Sequence, residues 1–547
     1  MATDVKIPFG ISSDIEMTID WHRSVQRILS DLKSDFVYAP HLRFIYKYAG
    51  DELIANIKSK LKDGAYAPGV PIGIEVPKTN RMRTLELSRV GPVFSRRGSI
   101  LLPHDRLLYQ AFADVSAKIV DDEIDASRSF SHQLAGKKSD AMFLPSRHNW
   151  SLFQKALRKR SKLPNSKYVL RTDIADYFGN INQHILINAL ADAGLPSEIA
   201  RRLEILLISY TGERSSRGIL QGMYPSDLFG NFYLSALDSF LDDEDRTSAR
   251  YVDDIYIFVG SAKTAETVTR DIIQQLRGYD LSLNESKSVL MPASYLLTEE
   301  PDLESLFQSA VDEISEQIKD DEFDTDYGFQ SDWDEDEFDE EDAEALELKA
   351  TIALLDSVDD YPNQEENIQR FCLPLLASAY SDYAIDTVID SFRRHPSMTQ
   401  QYCSYLVRFV GKSNVLDFLT ELAPDDSLMD WQRMWILATL LSAKDLNDEI
   451  VKIAAKIYKN KNSHEALRAT AAMLIGKFGS HSRRKQLISS YADSGSTYVQ
   501  SAIYYSSQSF SAVERQNAKS SWGNQNDLNR LITKAFENKK KPLSGLI

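Results

Sequence analysis

Two adjacent carboxylates are the residues of this chain whose type and spacing point most directly to chemistry. Asp253 and Asp254 lie within Arg250-Tyr-Val-Asp-Asp-Ile-Tyr-Ile-Phe-Val259. β-Branched and aromatic residues favour strands and aspartate favours turns, so the stretch predicts two strands joined by a tight turn. Carboxylates at such a tip repel each other unless a cation neutralises them, and Mg²⁺ prefers carboxylate and phosphate oxygens. Because an acidic pair alone is more often a solvated turn, its interpretation depends on the rest of the chain.

Three further blocks of the sequence support a shared site. Upstream, Tyr168-Val-Leu-Arg-Thr-Asp173 is an apolar strand pattern that ends in an aspartate. Arg217-Gly-Ile-Leu-Gln221-Gly222 is a glycine-bearing loop before a helical pattern, and Leu281-Ser-Leu-Asn284-Glu-Ser-Lys287 follows the acidic pair. In this order and at these distances, the four blocks resemble the palm motifs A, B, C and D of reverse transcriptases.

The resemblance implies nucleotidyl transfer, an in-line displacement at phosphorus. Two Mg²⁺ ions, for which Mn²⁺ can substitute, would hold the attacking 3′-hydroxyl and the leaving pyrophosphate. Asp173 and Asp253 would bridge the ions, and Asp254 would support them. The backbone carbonyl of Ile174 completes the metal ligands that the resemblance implies.

The same resemblance implies a deoxynucleotide site. Phe178, five residues after the motif A aspartate, matches the aromatic gate that clashes with a 2′-hydroxyl. Gln221 and Gly222 match the dipeptide that contacts the incoming nucleotide and the template base. Lys287 matches the lysine that approaches the triphosphate, and Tyr251 is expected near the primer end. The alternatives are an ordinary core position for Phe178 and a solvated position for Lys287.

A group of cations upstream resembles the fingers of the same family. Pro103-His-Asp105-Arg106 resembles the block that precedes the palm. Among short strand-like runs before it lie six cations that would meet template phosphates and the incoming triphosphate: Lys78, Arg81, Arg83, Arg89, Arg96 and Arg97. A solvated basic face is the alternative for any one of them.

Composition sets the remaining limits. The chain of 547 residues is long enough for two or three domains. Two cysteines, Cys372 and Cys403, predict no disulfide framework and a reducing compartment. No signal peptide opens the chain and no apolar run is long enough to span a bilayer, so we expect a cytoplasmic protein without membrane contact.

The acidity of the chain is local. The net charge is −17, but residues 320–347 hold 16 acidic residues and no lysine or arginine. Such a block repels itself, which predicts an extended, flexible linker. The alternative is a nucleic-acid mimic that covers a basic surface.

The last third of the chain has the apolar spacing of helices. Similar helical segments recur at Trp431, Leu467 and Val499, which suggests helical-hairpin repeats of the HEAT kind. An irregular helical bundle is the alternative. We therefore predict an α+β fold, a right-hand fingers and palm core followed by an all-α repeat domain. The predicted divisions are residues 1–69, an N-terminal helical extension; 70–295, fingers and palm; 296–349, a helix plus the acidic linker; and 350–547, the helical repeats.

A reverse transcriptase core followed by helical repeats resembles the abortive-infection and related antiphage reverse transcriptases of bacteria. That resemblance implies an RNA-directed or untemplated DNA polymerase acting on dNTPs, with RNA or single-stranded DNA as partner and a noncoding RNA or a phage protein as trigger. It also implies a homo-oligomer, a trimer or hexamer. Alternatives are a retron or intron enzyme, and a palm-fold module that binds RNA or protein through its repeats.

Some members of that group prime on a protein tyrosine. A tyrosine hydroxyl could stand in for the 3′-hydroxyl if it reached the catalytic aspartates. Tyr38, Tyr46 and Tyr48 precede the predicted fingers and are the candidates for this role. Ordinary packing is the alternative for each of them.

Overall fold

The structure is a computed structural model. It describes residues 9–33, 35–82, 84, 91–136, 138–212, 215–298, 310, 340–361, 364–523 and 525–539. Most of the predicted acidic linker lies outside these residues. Its last residues, 340–349, belong to a helix that runs from Glu340 to Asp356.

The N-terminal part consists of four helices followed by a two-stranded antiparallel sheet and a long helix. Trp21, Val25 and Ile28 lie on one face of the second helix, so that face is buried and its polar face is exposed. Ile72 pairs with Ile100 in the two-stranded sheet, which occupies the place predicted for the fingers. The elements are α1 (Ser13–Thr18), α2 (Trp21–Asp31), α3 (Pro40–Tyr48), α4 (Gly50–Lys62), β1 (Ile72–Arg81), β2 (Val93–Ile100) and α5 (Pro103–Glu123).

The predicted palm is a four-stranded antiparallel sheet with helices on both faces. Its strands are β3 (Tyr168–Thr172), β4 (Ser248–Tyr251), β5 (Asp254–Val259) and β6 (Val289–Pro292), in the spatial order β4-β5-β3-β6. Its helices are α6 (Ser146–Ser161), α7 (Tyr177–Asn180), α8 (Gln183–Asp192), α9 (Ser197–Tyr210), α10 (Tyr224–Tyr233), α11 (Ser235–Asp243), α12 (Ala262–Gly278) and α13 (Tyr295–Thr298).

Strand alternation divides the sheet into two packed faces. Ile255 and Ile257 of β5 join the main core together with α12. Tyr256 and Phe258, which alternate with these isoleucines along β5, join a smaller cluster with Phe153 of α6. The predicted apolar strands are therefore buried on both faces, which fixes their register.

The C-terminal part is helical among the residues that the structure describes. Alternate helices of this part stack in a row, so each packs against the helix two places further along the chain. The stacked helices begin at residues 365, 399, 430, 465, 497 and 527. The order resembles a solenoid, but HEAT-like repeats stay a prediction. The helices are α14 (Glu340–Asp356), α15 (Glu365–Ser378), α16 (Ile385–Ser391), α17 (Thr399–Leu406), α18 (Ser413–Leu422), α19 (Asp430–Leu440), α20 (Asp448–Lys459), α21 (Glu465–Phe478), α22 (His481–Ser489), α23 (Thr497–Ser506), α24 (Ala512–Trp522) and α25 (Asp527–Asn538).

The helical part folds back onto the N-terminal part. α25 packs against α3, and Lys60 pairs with Asp527 at 2.5 Å. The imidazole Nε2 of His464 lies 2.8 Å from the carbonyl oxygen of Gly73 in β1. Buried residues from Phe9 to Ala535 form one continuous apolar core. The two parts therefore stabilise each other.

Two remaining predictions concern sulfur and membranes. Cys372 and Cys403 are free and buried, and burial raises the pKa of each thiol to about 12. Among the described helices, none combines the length and the apolar character that crossing a bilayer requires.

Candidate active site

The predicted acidic turn is a tight hairpin. β4 ends at Tyr251 and β5 begins at Asp254, and these two residues pair across the strands. Val252, between them, has a φ of 56°, which is unusual for a β-branched residue and strained. Its N–H donates to the hydroxyl of Ser131 at 2.9 Å, so neighbouring structure holds the strained turn in place.

A buried polar network fixes the base of this hairpin. The guanidinium of Arg250 donates to Asp238 Oδ2 at 2.8 Å and to Asn231 Oδ1 at 2.7 Å. Asn231 in turn accepts from the Ser129 hydroxyl at 2.7 Å and donates to the carbonyl of Ser131 at 3.0 Å. Because Arg250 is only 1% exposed, its charge depends on these partners. The network joins the hairpin to α10 and α11.

Sequence reasoning assigned no role to Arg250, Asp238 or Asn231. The available signal was an arginine directly before the acidic pair and two polar residues inside an otherwise apolar helical pattern. A polar residue at a position that must be buried indicates a partner, although the sequence does not name the partner.

The third aspartate lies at the end of the neighbouring strand. Thr172 pairs with Ile255, so the next residues, Asp173 and Asp254, come together at the same end of the sheet. Asp173 is buried and its Oδ2 accepts from Asn284 Nδ2 at 3.0 Å and from Lys287 Nζ at 2.9 Å. The segment after α12 therefore meets the motif A strand, as the predicted order of blocks requires.

The electrostatics of the three carboxylates are unfavourable without a cation. Burial, with the neighbouring carboxylates of Asp173 and Asp254, raises the pKa of Asp253 to about 7. Burial and the Asp173 charge also raise the pKa of Asp254. Lys287 is the one cation that contacts Asp173 among the described residues, and it leaves the group with a net negative charge. Carboxylate oxygens are also the ligands that Mg²⁺ prefers, so the donor set fits a magnesium site.

The three carboxylates do not form a closed metal cage among the residues that the structure describes. No group of three or more His, Cys, Asp or Glu side chains in the described ranges has the geometry of a preformed metal site. The Lys287 ammonium contacts one carboxylate oxygen of Asp173. Ile174, whose carbonyl was predicted as a ligand, is buried and forms a backbone bridge with Leu283.

Two of the predicted nucleotide-binding segments, Phe178 and the loop that carries Gln221 and Gly222, are joined through the backbone. The N–H of Ile219 donates to the carbonyl of Phe178 at 2.9 Å, which places the loop before Gln221 beside α7. Phe178 is half-buried, and its Cε1 atom lies 2.8 Å from the point where a Cβ at Gly230 would stand. Glycine at this position of α10 therefore lets the ring lie against the helix.

Phe36 is a neighbour of the nucleotide site that the sequence did not indicate. Gly222 has a φ of +83°, and a Cβ there would lie 2.9 Å from Phe36 Cε1. The other edge of the ring lies against Gly98 of β2. The carbonyl of Phe36 accepts indole N–H groups from Trp431 at 2.6 Å and Trp435 at 3.2 Å. The helical part thus holds a ring between the fingers strand and the predicted nucleotide loop.

Tyr251 is part of an aromatic cluster beside the hairpin. Its ring lies 5.0 Å from that of Trp150 and 5.6 Å from that of Phe153, and its hydroxyl donates to the carbonyl of Ser146 at 3.3 Å. The ring is half-buried, and Trp150 is 44% exposed. Its predicted position near a primer end stays a prediction.

The predicted fingers cations have different surroundings. Lys78, Arg96 and Arg97 are exposed, whereas Arg81 donates to the carbonyls of Gly91 and of Arg394 in the helical part. Arg81 therefore has a structural partner in place of a phosphate. Arg83 and Arg89 lie outside the described residues.

The candidate priming tyrosines are mostly packed. Tyr38 and Tyr46 are buried, and burial raises the pKa of both hydroxyls. Tyr48 is half-buried, and its ring packs at 5.0 Å against that of Phe44. The described packing disfavours Tyr38 and Tyr46 as primers unless the N-terminal helices move.

Comparison with known proteins identifies the domain that contains this site. The reverse transcriptase (RNA-dependent DNA polymerase) family matches residues 113–300, which include all the predicted catalytic and nucleotide-binding residues. The search of curated proteins finds no significant match. The chain thus contains a reverse transcriptase domain and is an RNA-directed DNA polymerase.

Several solved structures resemble the chain at low identity. Apo telomerase from Candida tropicalis is 11% identical with a TM-score of 0.30, over 76% of this chain and 73% of that one. Telomerase from Candida albicans in complex with the TWJ fragment of telomeric RNA is 11% identical with a TM-score of 0.27, over 74% and 66%. The corresponding Candida tropicalis complex is 14% identical with a TM-score of 0.28, over 74% and 67%.

Proposed function

We propose that the polymerase adds dNTPs by two-metal nucleotidyl transfer at Asp173, Asp253 and Asp254. The observation that carries the proposal is the meeting of these carboxylates at one end of the palm sheet, where their repulsion contributes to the raised pKa of Asp253. Asp173 and Asp253 are the proposed bridging ligands of Mg²⁺ or Mn²⁺, and Asp254 and the Ile174 carbonyl support them. Bound ions would hold the attacking hydroxyl and the leaving pyrophosphate and spread the developing charge.

The surrounding residues have proposed roles in binding and orientation. Lys287 would exchange its contact with Asp173 for the triphosphate of the incoming nucleotide, where its charge stabilises the leaving group. Phe178 would exclude a 2′-hydroxyl, because the adjacent helix α10 limits how far its ring can retreat. Gln221 and Gly222 would contact the nucleotide and the template base.

We further propose a role in bacterial defence against phage. The support is the order of a polymerase core followed by a helical part, which resembles abortive-infection reverse transcriptases. The proposal includes a cytoplasmic homo-oligomer, a trimer or hexamer, that responds to a noncoding RNA or a phage protein. Synthesis would be RNA-directed or untemplated, with a protein tyrosine as one candidate primer.

One incubation series tests the polymerase proposal and separates its variants. The purified protein is incubated with each labelled dNTP separately, with Mg²⁺, and with or without added RNA. Incorporation of the dNTPs that the RNA sequence specifies indicates templated synthesis, whereas incorporation without RNA indicates untemplated synthesis. No incorporation under any condition would contradict the proposal.

The primer is identified from the same products. Label that migrates with the denatured protein until protease is added indicates a protein primer. Label that migrates as free DNA before protease treatment excludes protein priming and leaves a nucleic-acid primer.

A further inference from the structure

Helix α6 is the most positively charged helix near the catalytic hairpin. Between Ser146 and Lys162 the chain has six lysines and arginines and no aspartate or glutamate. The whole chain has a net charge of −17, so this local excess of positive charge is a departure from the average surface. A basic stripe of this kind matches a polyanion.

The topology places α6 along the palm, with its first turns at the catalytic end. Phe153 and Leu157 pack against the sheet face that carries Tyr256 and Phe258. After α6 the chain turns directly into β3, which runs toward Asp173, so the last turn of α6 lies at the opposite end of the sheet. The helix therefore runs from the hairpin away from the active site.

An exposed aromatic side chain joins the hairpin to this helix. Trp150 is 44% exposed, and its ring meets that of Tyr251 edge-to-face at 5.0 Å. The two rings adjoin each other, and Tyr251 lies two residues before Asp253 in the hairpin. Bases stack on such surfaces irrespective of sequence.

The cations of α6 differ in their exposure. The guanidinium of Arg160 donates to the carbonyl of Ser127 and lies over the ring of Phe130, so it contributes to packing. Lys155, Arg158 and Lys159 are exposed. They extend the surface that begins at Trp150 by roughly 14 Å along the helix axis.

We propose that one face of α6, called the α6 surface, binds the DNA strand whose 3′ end lies at the catalytic aspartates. The α6 surface consists of Trp150, Lys155, Arg158 and Lys159. The inference rests on the proposed polymerase function. The strand that is extended must approach Asp253 with its 3′ end, and the aromatic surface of Trp150 and Tyr251 adjoins that position. Stacking orients the terminal bases, and the cations neutralise phosphates farther from the end.

A charge-reversal pair tests the electrostatic part of the α6 surface. Lys155→Glu with Lys159→Glu is expected to weaken binding of a short fluorescent oligothymidylate by about tenfold or more at low salt, and to flatten the dependence of affinity on salt. Lys263→Glu with Arg270→Glu is the matched control, because both residues are exposed on α12, which packs on the other face of the same sheet. The control should bind within about twofold of wild type.

The measurement uses no dNTP, so it is independent of catalysis. If the α6 pair binds the oligonucleotide as well as the control pair, the inference is wrong even when the wild type incorporates dNTPs. If the wild type incorporates no dNTP, and the α6 pair alone binds the oligonucleotide more weakly, the polymerase proposal fails and the binding surface stands. If the substitutions weaken the binding of an RNA of matching sequence more than the binding of the DNA, the surface holds a template and the inference is wrong.

Two substitutions at Trp150 test the stacking part. Trp150→Phe retains a ring and should keep most of the affinity, whereas Trp150→Ala should lose about tenfold, which corresponds to one stacked base. Melting temperatures check that both variants fold. Equal affinities of Trp150→Ala and Trp150→Phe would contradict stacking at this position.

Discussion

Burial makes the aspartates of this site chemically different from surface carboxylates. Asp173 is 5% exposed, and burial with neighbouring charge raises the pKa of Asp253 to about 7. The apolar strand patterns predicted that each of these aspartates lies at a strand end, and the structure places them there. Their catalytic role was predicted from the resemblance of the four sequence blocks and stays a prediction. The sequence did not predict the ion pair between Lys287 and Asp173, since a contact at 2.9 Å depends on the positions of both side chains.

The ring of Phe178 is expected to control sugar selectivity. Phe178→Ala should raise the efficiency of rNTP use relative to dNTP use by about tenfold or more, because the clash with the 2′-hydroxyl disappears. Phe178→Tyr retains the ring and should keep the preference for dNTPs. The measurement is kcat/KM for a matched rNTP and dNTP. An unchanged ratio in Phe178→Ala would make Phe178 a core residue only.

His41 is expected to make stability depend on pH. It is fully buried, both ring nitrogens lack a hydrogen-bond partner among the described residues, and burial lowers its pKa to about 3. Folding thus favours the neutral form, so its contribution is complete above the unfolded pKa of about 6.5 and decreases as the pH falls below that value. At pH 5 the loss from this group should be about 2 kcal/mol.

Denaturant unfolding of His41→Phe and wild type at several pH values measures this difference. The stability of the variant relative to wild type should increase by about 1.6 kcal/mol between pH 6.5 and 5. His22→Phe is the control for replacing a histidine at an exposed position, because the His22 side chain is 75% exposed. Parallel pH curves for His41→Phe and wild type would contradict the assignment.

At the scale of elements, the catalytic hairpin depends on a network rather than on its own turn. The strained φ of Val252 is maintained by Ser131 and by Arg250, which also binds α10 and α11. The strands and the motif B helix were predictable from apolar runs and glycine. The polar network was not predictable from the sequence, because its members are as far apart along the chain as residues 129 and 250.

Arg250→Met should therefore destabilise the protein more than other arginine substitutions in the sheet. It leaves the carboxylate of Asp238 buried without its cation, which is expected to cost about 3–5 kcal/mol. Arg171→Met on the neighbouring strand is the control, because Arg171 is exposed and should cost less than about 1 kcal/mol. Denaturant unfolding compares the two. Equal losses would show that the network contributes no more than a surface charge.

At the scale of the whole molecule, the helical part reaches the nucleotide site through Phe36. The indoles of Trp431 and Trp435 donate hydrogen bonds to the Phe36 carbonyl, and the Phe36 ring lies between Gly98 and Gly222. The sequence predicted a separate helical domain but not this contact, which joins residues from four distant parts of the chain. No periodicity or motif indicates such a contact, because it arises only when both halves have folded.

Replacing both tryptophans tests whether this contact matters for catalysis. Trp431→Phe with Trp435→Phe removes two hydrogen bonds to Phe36 and should raise KM for dNTP several-fold with a smaller change in kcat, since the nucleotide loop loses support. Trp522→Phe is the control, because its indole donates to Ile488 within the helical part. A KM equal to that of the control would contradict coupling between the helical part and the nucleotide site.

Asp253 and Asp254 are proposed to hold the metal ions for DNA synthesis, and the double substitution Asp253→Asn with Asp254→Asn tests this role most directly. Labelled dNTP incorporation with Mg²⁺ should fall by about a thousandfold or more, because the metal ligands of the hairpin are lost. The melting temperature should stay unchanged or rise slightly, since repulsion between carboxylates is relieved. Asp386→Asn with Asp390→Asn, at exposed positions of α16, should retain wild-type activity. Wild-type incorporation by a folded Asp253→Asn, Asp254→Asn variant would contradict metal-dependent catalysis at these two residues.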